Sequence, residues 1–91
     1  MKYHITPKQA KEITEEQFYS MFNEIEHRED WMDYYHKNIT IEKMIDILDE
    51  ITVGRDFVDK HFCVFLLDGR DFKEEEFTDA LWEAVKSLLN E

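Results

Sequence analysis

Apolar positions recur at helical spacing through the first half of the chain, but the face they define changes twice. Thr6-Pro7 reads as a helix start, with a hydroxyl at the N-cap and a proline where its missing N–H costs nothing. It predicts a helical turn over 7–12. Thr14-Glu15-Glu16-Gln17 is a capping box, and Phe18, Met21, Phe22 and Ile25 follow it at three- and four-residue intervals. That pattern predicts a helix over 15–26. If the helix continued, Glu29 would be buried and Trp31 would point away. A break near 26–30 and a new helix over 29–37 bring Trp31, Tyr34 and Tyr35 together instead. Thr40 is placed to cap a helix over 41–52. There Ile41, Met44, Ile45, Leu48 and Thr52 share a side, Ile47 and Ile51 lie at its margin, and Gly54 is the expected terminator.

The pattern then shifts. His61 to Leu67 is a short apolar run with β-branched and aromatic residues, followed directly by Asp68-Gly69, a hairpin-turn dipeptide. A short apolar run of this kind can be a strand or a buried helix; the turn dipeptide and the β-branched and aromatic content favour a strand. Its partner is either Arg70–Phe72 or a piece around Thr52–Phe57. Beyond it, Phe77, Ala80, Leu81, Ala84, Val85, Leu88 and Leu89 mark a helix over 74–90, with Glu74, Glu75 and Glu76 in a first turn that favours anions. The fold class expected is α+β and mostly helical. It has about four helices and one small antiparallel hairpin near 61–72, packed by the C-terminal helix, in a single domain over 1–91.

Charge changes the picture of partners rather than of fold. The 91 residues carry 22 Asp and Glu against 11 Lys and Arg, a formal net charge of -11. Seven Phe, four Tyr and two Trp separate the chain from disordered acidic tails, so the charge belongs on a folded surface. Such a surface repels nucleic-acid phosphate and anionic lipid, so direct binding of either is not expected. The single Cys63 excludes an internal disulfide and any multi-cysteine zinc site. No apolar run approaches the about 20 residues of a membrane span, and Met1-Lys2-Tyr3-His4 opens no secretory leader. A cytoplasmic location is expected.

No catalytic motif accompanies the charge, and no enzyme or cofactor is expected. His27, Asp30, Asp33 and His36 could offer metal ligands, but they read as a hydrated polar face in a charge-rich chain. Asp68-Gly69-Arg70-Asp71 lacks the glycine spacing of a calcium loop. His61 and Cys63, two apart, would share one face of a strand, yet Cys63 sits in an apolar run where a buried thiol is inert. Trp31, Tyr34 and Tyr35 lack the interleaved basic residues of a base-stacking site and read as a core or interface cluster. Trp82, at the edge of an apolar arc covering more than half of the last helix, marks a candidate surface for a second copy, which would make a homodimer.

The candidate partner-binding residues are therefore acidic. Glu42, Asp46, Asp49 and Glu50 fall on one side of the predicted 41–52 helix and span about 12 Å. That is about 4 Å per charge, near the axial phosphate spacing of about 3.4 Å in one DNA strand. Glu24, Glu26, Glu29, Asp30 and Asp33 extend the belt. Two stretches, Thr40-Ile41-Glu42-Lys43-Met44-Ile45-Asp46-Ile47-Leu48 and Asp68-Gly69-Arg70-Asp71-Phe72 with Asp79-Ala80-Leu81-Trp82-Glu83-Ala84-Val85-Lys86, resemble small acidic proteins of Gram-positive phages and prophages. The resemblance implies a bacterial or phage-infected cytoplasm and an accessory that binds a host or defence protein. It carries no site residues. The expected function is a non-enzymatic protein-binding accessory. In its sharp form this is an inhibitor that presents carboxylates to a basic, nucleic-acid-binding surface, as anti-CRISPR and anti-restriction proteins do. The alternative is an assembly accessory, dimeric through the last helix, whose charge serves solubility.

Overall fold

The computed structural model describes residues 3–22, 25–56, 58 and 60–90, with Asp56 described by its backbone alone. The element order is α1 (Pro7–Ala10), α2 (Glu15–Ser20), α3 (Trp31–Tyr35) running into a 3-10 turn (His36–Asn38), α4 (Ile41–Leu48), β1 (Ile51–Asp56), β2 (His61–Leu66), β3 (Asp71–Glu74) and α5 (Phe77–Leu89). The fold is α+β, as the sequence pattern predicts. All three threonine caps form: Thr6, Thr14 and Thr40 each accept from the backbone N–H three residues on, and Gln9 and Gln17 close the first two capping boxes.

The strand candidates that sequence offered as alternatives both pair. β2 is the centre of a three-stranded antiparallel sheet in the order β1-β2-β3, with Val53 opposite Val64 and Val64 opposite Phe72. The strand near Thr52 runs to Asp56, and Phe57 lies outside the described residues. Four residues, Leu67 to Arg70, join β2 to β3, and the Leu66 N–H closes the turn by donating to Arg70 O at 2.8 Å. Gly69 takes φ +96°, the position in such loops that requires a left-handed residue.

Several helices are shorter than their periodicity predicts. α2 stops at Ser20 rather than 26, because Met21 and Phe22 close tight turns onto Phe18 O and Tyr19 O. This turns Phe18 inward against Trp31 (ring centroids 4.7 Å) and Tyr35 (5.9 Å). α3 spans Trp31–Tyr35 instead of 29–37, and α1 ends at Ala10. α4 stops at Leu48, not 52, and Gly54 is a mid-strand residue rather than its terminator. β-branched Ile51-Thr52-Val53 suits a strand, and pairing with β2 takes these residues out of the helix. The last helix begins at Phe77 rather than 74, because Glu74 pairs with Phe62 in β3. Asp79 is thus the acidic residue of its first turn, in place of Glu74 to Glu76.

α5 lies between two layers. It packs on β2 and β3 on one side and on α4 on the other. Thr78, Ala80, Leu81, Trp82, Ala84 and Val85 are all fully buried. A polar seam ties the N-terminal turns to the helix. Gln9 Nε2 donates to Asp79 Oδ1 at 2.8 Å, Trp82 Nε1 to Glu12 Oε1 at 3.1 Å, Lys86 Nζ to Glu12 Oε2 at 2.8 Å, and Gln17 Nε2 to Leu89 O at 3.1 Å. Trp82 therefore faces the N-terminal turns and offers no surface to a second copy. The apolar arc is wide because two layers cover it.

Partial burial opposes ionisation of Glu12, but the Lys86 and Trp82 hydrogen bonds outweigh it and hold the carboxyl below the ordinary glutamate value. A depressed carboxyl contributes stability above its unfolded value and loses it as pH falls through the folded one. Glu12→Ala, which also strips the buried indole N–H of its acceptor, should cost about 1–3 kcal/mol in urea unfolding. Glu12→Gln keeps an acceptor. It should cost less, and its stability should fall less steeply with acid below the ordinary glutamate range.

Candidate functional site

Carboxylates on this chain divide into paired and unpaired groups. Asp30 is held by Arg28 through two hydrogen bonds, Nε–Oδ1 2.8 Å and Nη2–Oδ2 3.1 Å, which keep its carboxyl below the usual aspartate range. Asp68 is held down in the same way by Arg70, with Nε at 2.7 Å and the backbone N–H at 3.1 Å. Glu12 and Glu83 share Lys86. In contrast, Glu42, Asp46, Asp49 and Glu50 are exposed and have no ion-pair partner among the described residues. Glu29 and Asp33 are exposed as well. Asp33 lies on α3, which packs on α1, and Glu29 precedes that helix. Glu24 lies outside the described residues.

The four acids near α4 do not form the straight stripe expected of a 41–52 helix. Glu42 and Asp46, four apart, share one face of α4, with Ile45 37 % exposed beside them. The helix then ends at Asp49, whose N–H still bonds Ile45 O at 3.0 Å while its backbone takes φ +64° and ψ −98°. This corner turns the chain into β1 and sets Asp49 and Glu50 off the helix axis. The even phosphate-like spacing along one helix is lost. What remains is Glu42 and Asp46 along α4, with Asp49 and Glu50 turned around its C-terminal end.

That end borders a cleft of about 500 Å³ between α4, the β2–β3 hairpin and α5, lined by Leu48, Asp49, Glu50, Leu66, Leu67, Asp68, Arg70 and Leu88. Leu67, at its lip, is 80 % exposed. Sequence reasoning had Asp49 and Glu50 but missed the leucines and Ile45. One signal was available: Leu66 and Leu67 are adjacent, and neighbours on a strand cannot both face the core.

The other candidates are placed elsewhere. Trp31 and Tyr35 are core residues around Phe18, and the exposed ring of that cluster is Tyr34, with the Arg28 guanidinium 3.9 Å from its centroid. The histidines and acids between 27 and 36 do not converge: His27 stacks on Tyr19 at 3.8 Å, and His36 Nδ1 lies 3.1 Å from Met32 O. No group of three or more His, Cys, Asp or Glu among the described residues is arranged to hold a metal ion. His61 and Cys63 share the sheet face away from α5, and Cys63 is partly exposed there rather than buried in the core. No helix among the described residues is long and apolar enough to cross a membrane. No protein-family model matches the chain, and no curated protein or solved structure matches it either.

Asp49 is a non-glycine residue in a sparsely populated region of backbone space, a conformation that costs on the order of 1–3 kcal/mol. Asp49→Gly should therefore raise stability by about 1 kcal/mol, after the extra unfolded-state freedom of glycine is deducted. In urea denaturation the midpoint should rise at unchanged slope. A lower midpoint would show that the aspartate side chain stabilises the corner.

Proposed function

We propose that this chain is a non-enzymatic protein-binding accessory, and that its acidic surface occupies the basic, nucleic-acid-binding face of a partner protein. One observation carries the reading: Glu42, Asp46, Asp49 and Glu50 are exposed without an ion-pair partner among the described residues, while Glu12, Asp30, Asp68 and Glu83 have theirs. Like charges left side by side repel and lower stability unless something else neutralises them. A cationic surface does so, and long-range attraction speeds the encounter. Ile45 adds apolar contact inside the charged patch, in keeping with an interface that has a less polar centre.

The reading invokes no ladder of phosphate mimics, because Asp49 bends the row. It needs a dense negative patch on a rigid support, and α4 is rigid through its packing on α5. The inhibitor form is the sharpest version: a protein whose nucleic-acid site is filled by these carboxylates loses its nucleic acid by competition.

The test is affinity capture from bacterial lysate with the wild-type chain and with Asp46→Lys/Asp49→Lys/Glu50→Lys. Wild type should retain nucleic-acid-binding proteins that elute as salt rises and are displaced by added duplex DNA. The triple reversal should weaken retention by tenfold or more, on the order expected for several lost charge pairs. Capture of the same proteins by both forms would refute the acidic-surface reading.

A further inference from the structure

The geometry points to the cleft beside Asp49 as a slot for one arginine side chain of the basic partner. This rests on the protein-binding reading above and specifies what is gripped. Three elements each supply a leucine to the cleft: Leu48 ends α4, Leu66 ends β2, and Leu88 lies near the end of α5. Asp49 and Glu50 form one bank, without an ion-pair partner among the described residues. On the opposite bank, Asp68 is bound by Arg70, whose guanidinium also bonds Ser87. Arg70 thus enters the cleft without pairing with Asp49 or Glu50. Beside the Arg70–Asp68 pair, the cleft combines leucine side chains with two carboxylates that have no ion-pair partner among the described residues.

That combination is complementary to a long apolar stem carrying a cationic head. An anion would be repelled. A wholly apolar side chain would strip water from the carboxylates and give nothing back. Lysine and arginine both have the stem. Arginine fits better: its planar guanidinium is weakly hydrated and presents donors along two edges, so it can serve two carboxylates while lying against leucine. The ammonium of lysine is a compact, strongly hydrated point charge that loses more on entering a half-apolar cleft. Leu67, 80 % exposed at the lip, offers apolar contact to a residue next to that arginine.

The probe is a short acetylated and amidated peptide with one leucine next to one arginine, compared with its lysine and citrulline counterparts. Each is titrated to millimolar concentration into the ¹⁵N-labelled chain. The arginine peptide should shift the amides of Asp49, Glu50, Leu66 to Arg70, and Leu88. The lysine peptide should do so several-fold more weakly, and the neutral citrulline peptide should leave them unmoved. Asp49→Asn/Glu50→Gln preserves shape and should weaken the arginine peptide by about tenfold. Shifts confined to Glu42 and Asp46, with the cleft silent, would overturn the slot and leave the acidic-surface reading standing. Equal binding of the citrulline peptide, or no loss in the double variant, would overturn it too. Silence at every residue overturns the slot, and the charge-reversal capture then decides the wider reading by itself.

Discussion

The burial of Trp82 inside a helix covered from two sides organises the molecule. An indole in the core brings one N–H that must find an acceptor, since leaving it unpaired costs on the order of 1–3 kcal/mol. Glu12 is that acceptor, and it also takes the ammonium of Lys86. One carboxylate therefore ties the N-terminal turns to the helix that carries the sheet. Helices of four and six residues are too short to persist alone, because nucleation of a helical turn is costly. Here they persist because Gln9 and Gln17 each work twice. The amide oxygen caps a short helix, and the amide nitrogen reaches α5.

This double use explains what the sequence made legible. Caps are local, so Thr6, Thr14 and Thr40 could be read from a few neighbours. The period of α5 and the turn at Asp68-Gly69 are local too. Where elements stop is not. Ile41 to Thr52 keeps helical spacing past Leu48, and no glycine or proline marks the end at Asp49. The chain leaves the helix there because Ile51 pairs with Leu66 and Val53 with Val64, contacts across the sheet that no window along the sequence contains. The same competition takes Glu74 from the last helix into β3. The wide apolar arc of α5 was visible, but an arc alone does not say whether a second copy or this chain's own second layer covers it.

The candidate site was half legible for the same reason. Charge and exposure can be read from residue type, so Glu42, Asp46, Asp49 and Glu50 were identifiable as surface acids. Pairing within the chain cannot be read that way. Asp30 and Asp68 look no different from Asp46 in sequence, yet each has an arginine two residues away that folds back onto it. The cleft depends on leucines from three elements meeting, which follows only from topology. The expected straight row failed at one residue, Asp49, whose backbone turns the row around the end of α4.

That corner bears on why the acids are where they are. A strained aspartate persists only when surrounding structure holds it, and here α4 is fixed by α5 while β1 is fixed by β2. The strain is local, and so is its effect: it brings two carboxylates without an ion-pair partner among the described residues to the edge of a leucine-lined cleft. Solubility alone would be served equally well by acids scattered over the surface, and a relaxed glycine would make the same turn. Glu15 and Glu16 show the ordinary use of charge, exposed in the first turn of α2 where the helix dipole favours them. Asp49 and Glu50 stand beyond the last turn of α4, near the negative end of its dipole, where a carboxylate is disfavoured. Placing two acids against that field, on a strained backbone and beside leucines, lowers the stability of the free chain. A cation docked in the cleft would reverse the electrostatic part of that cost.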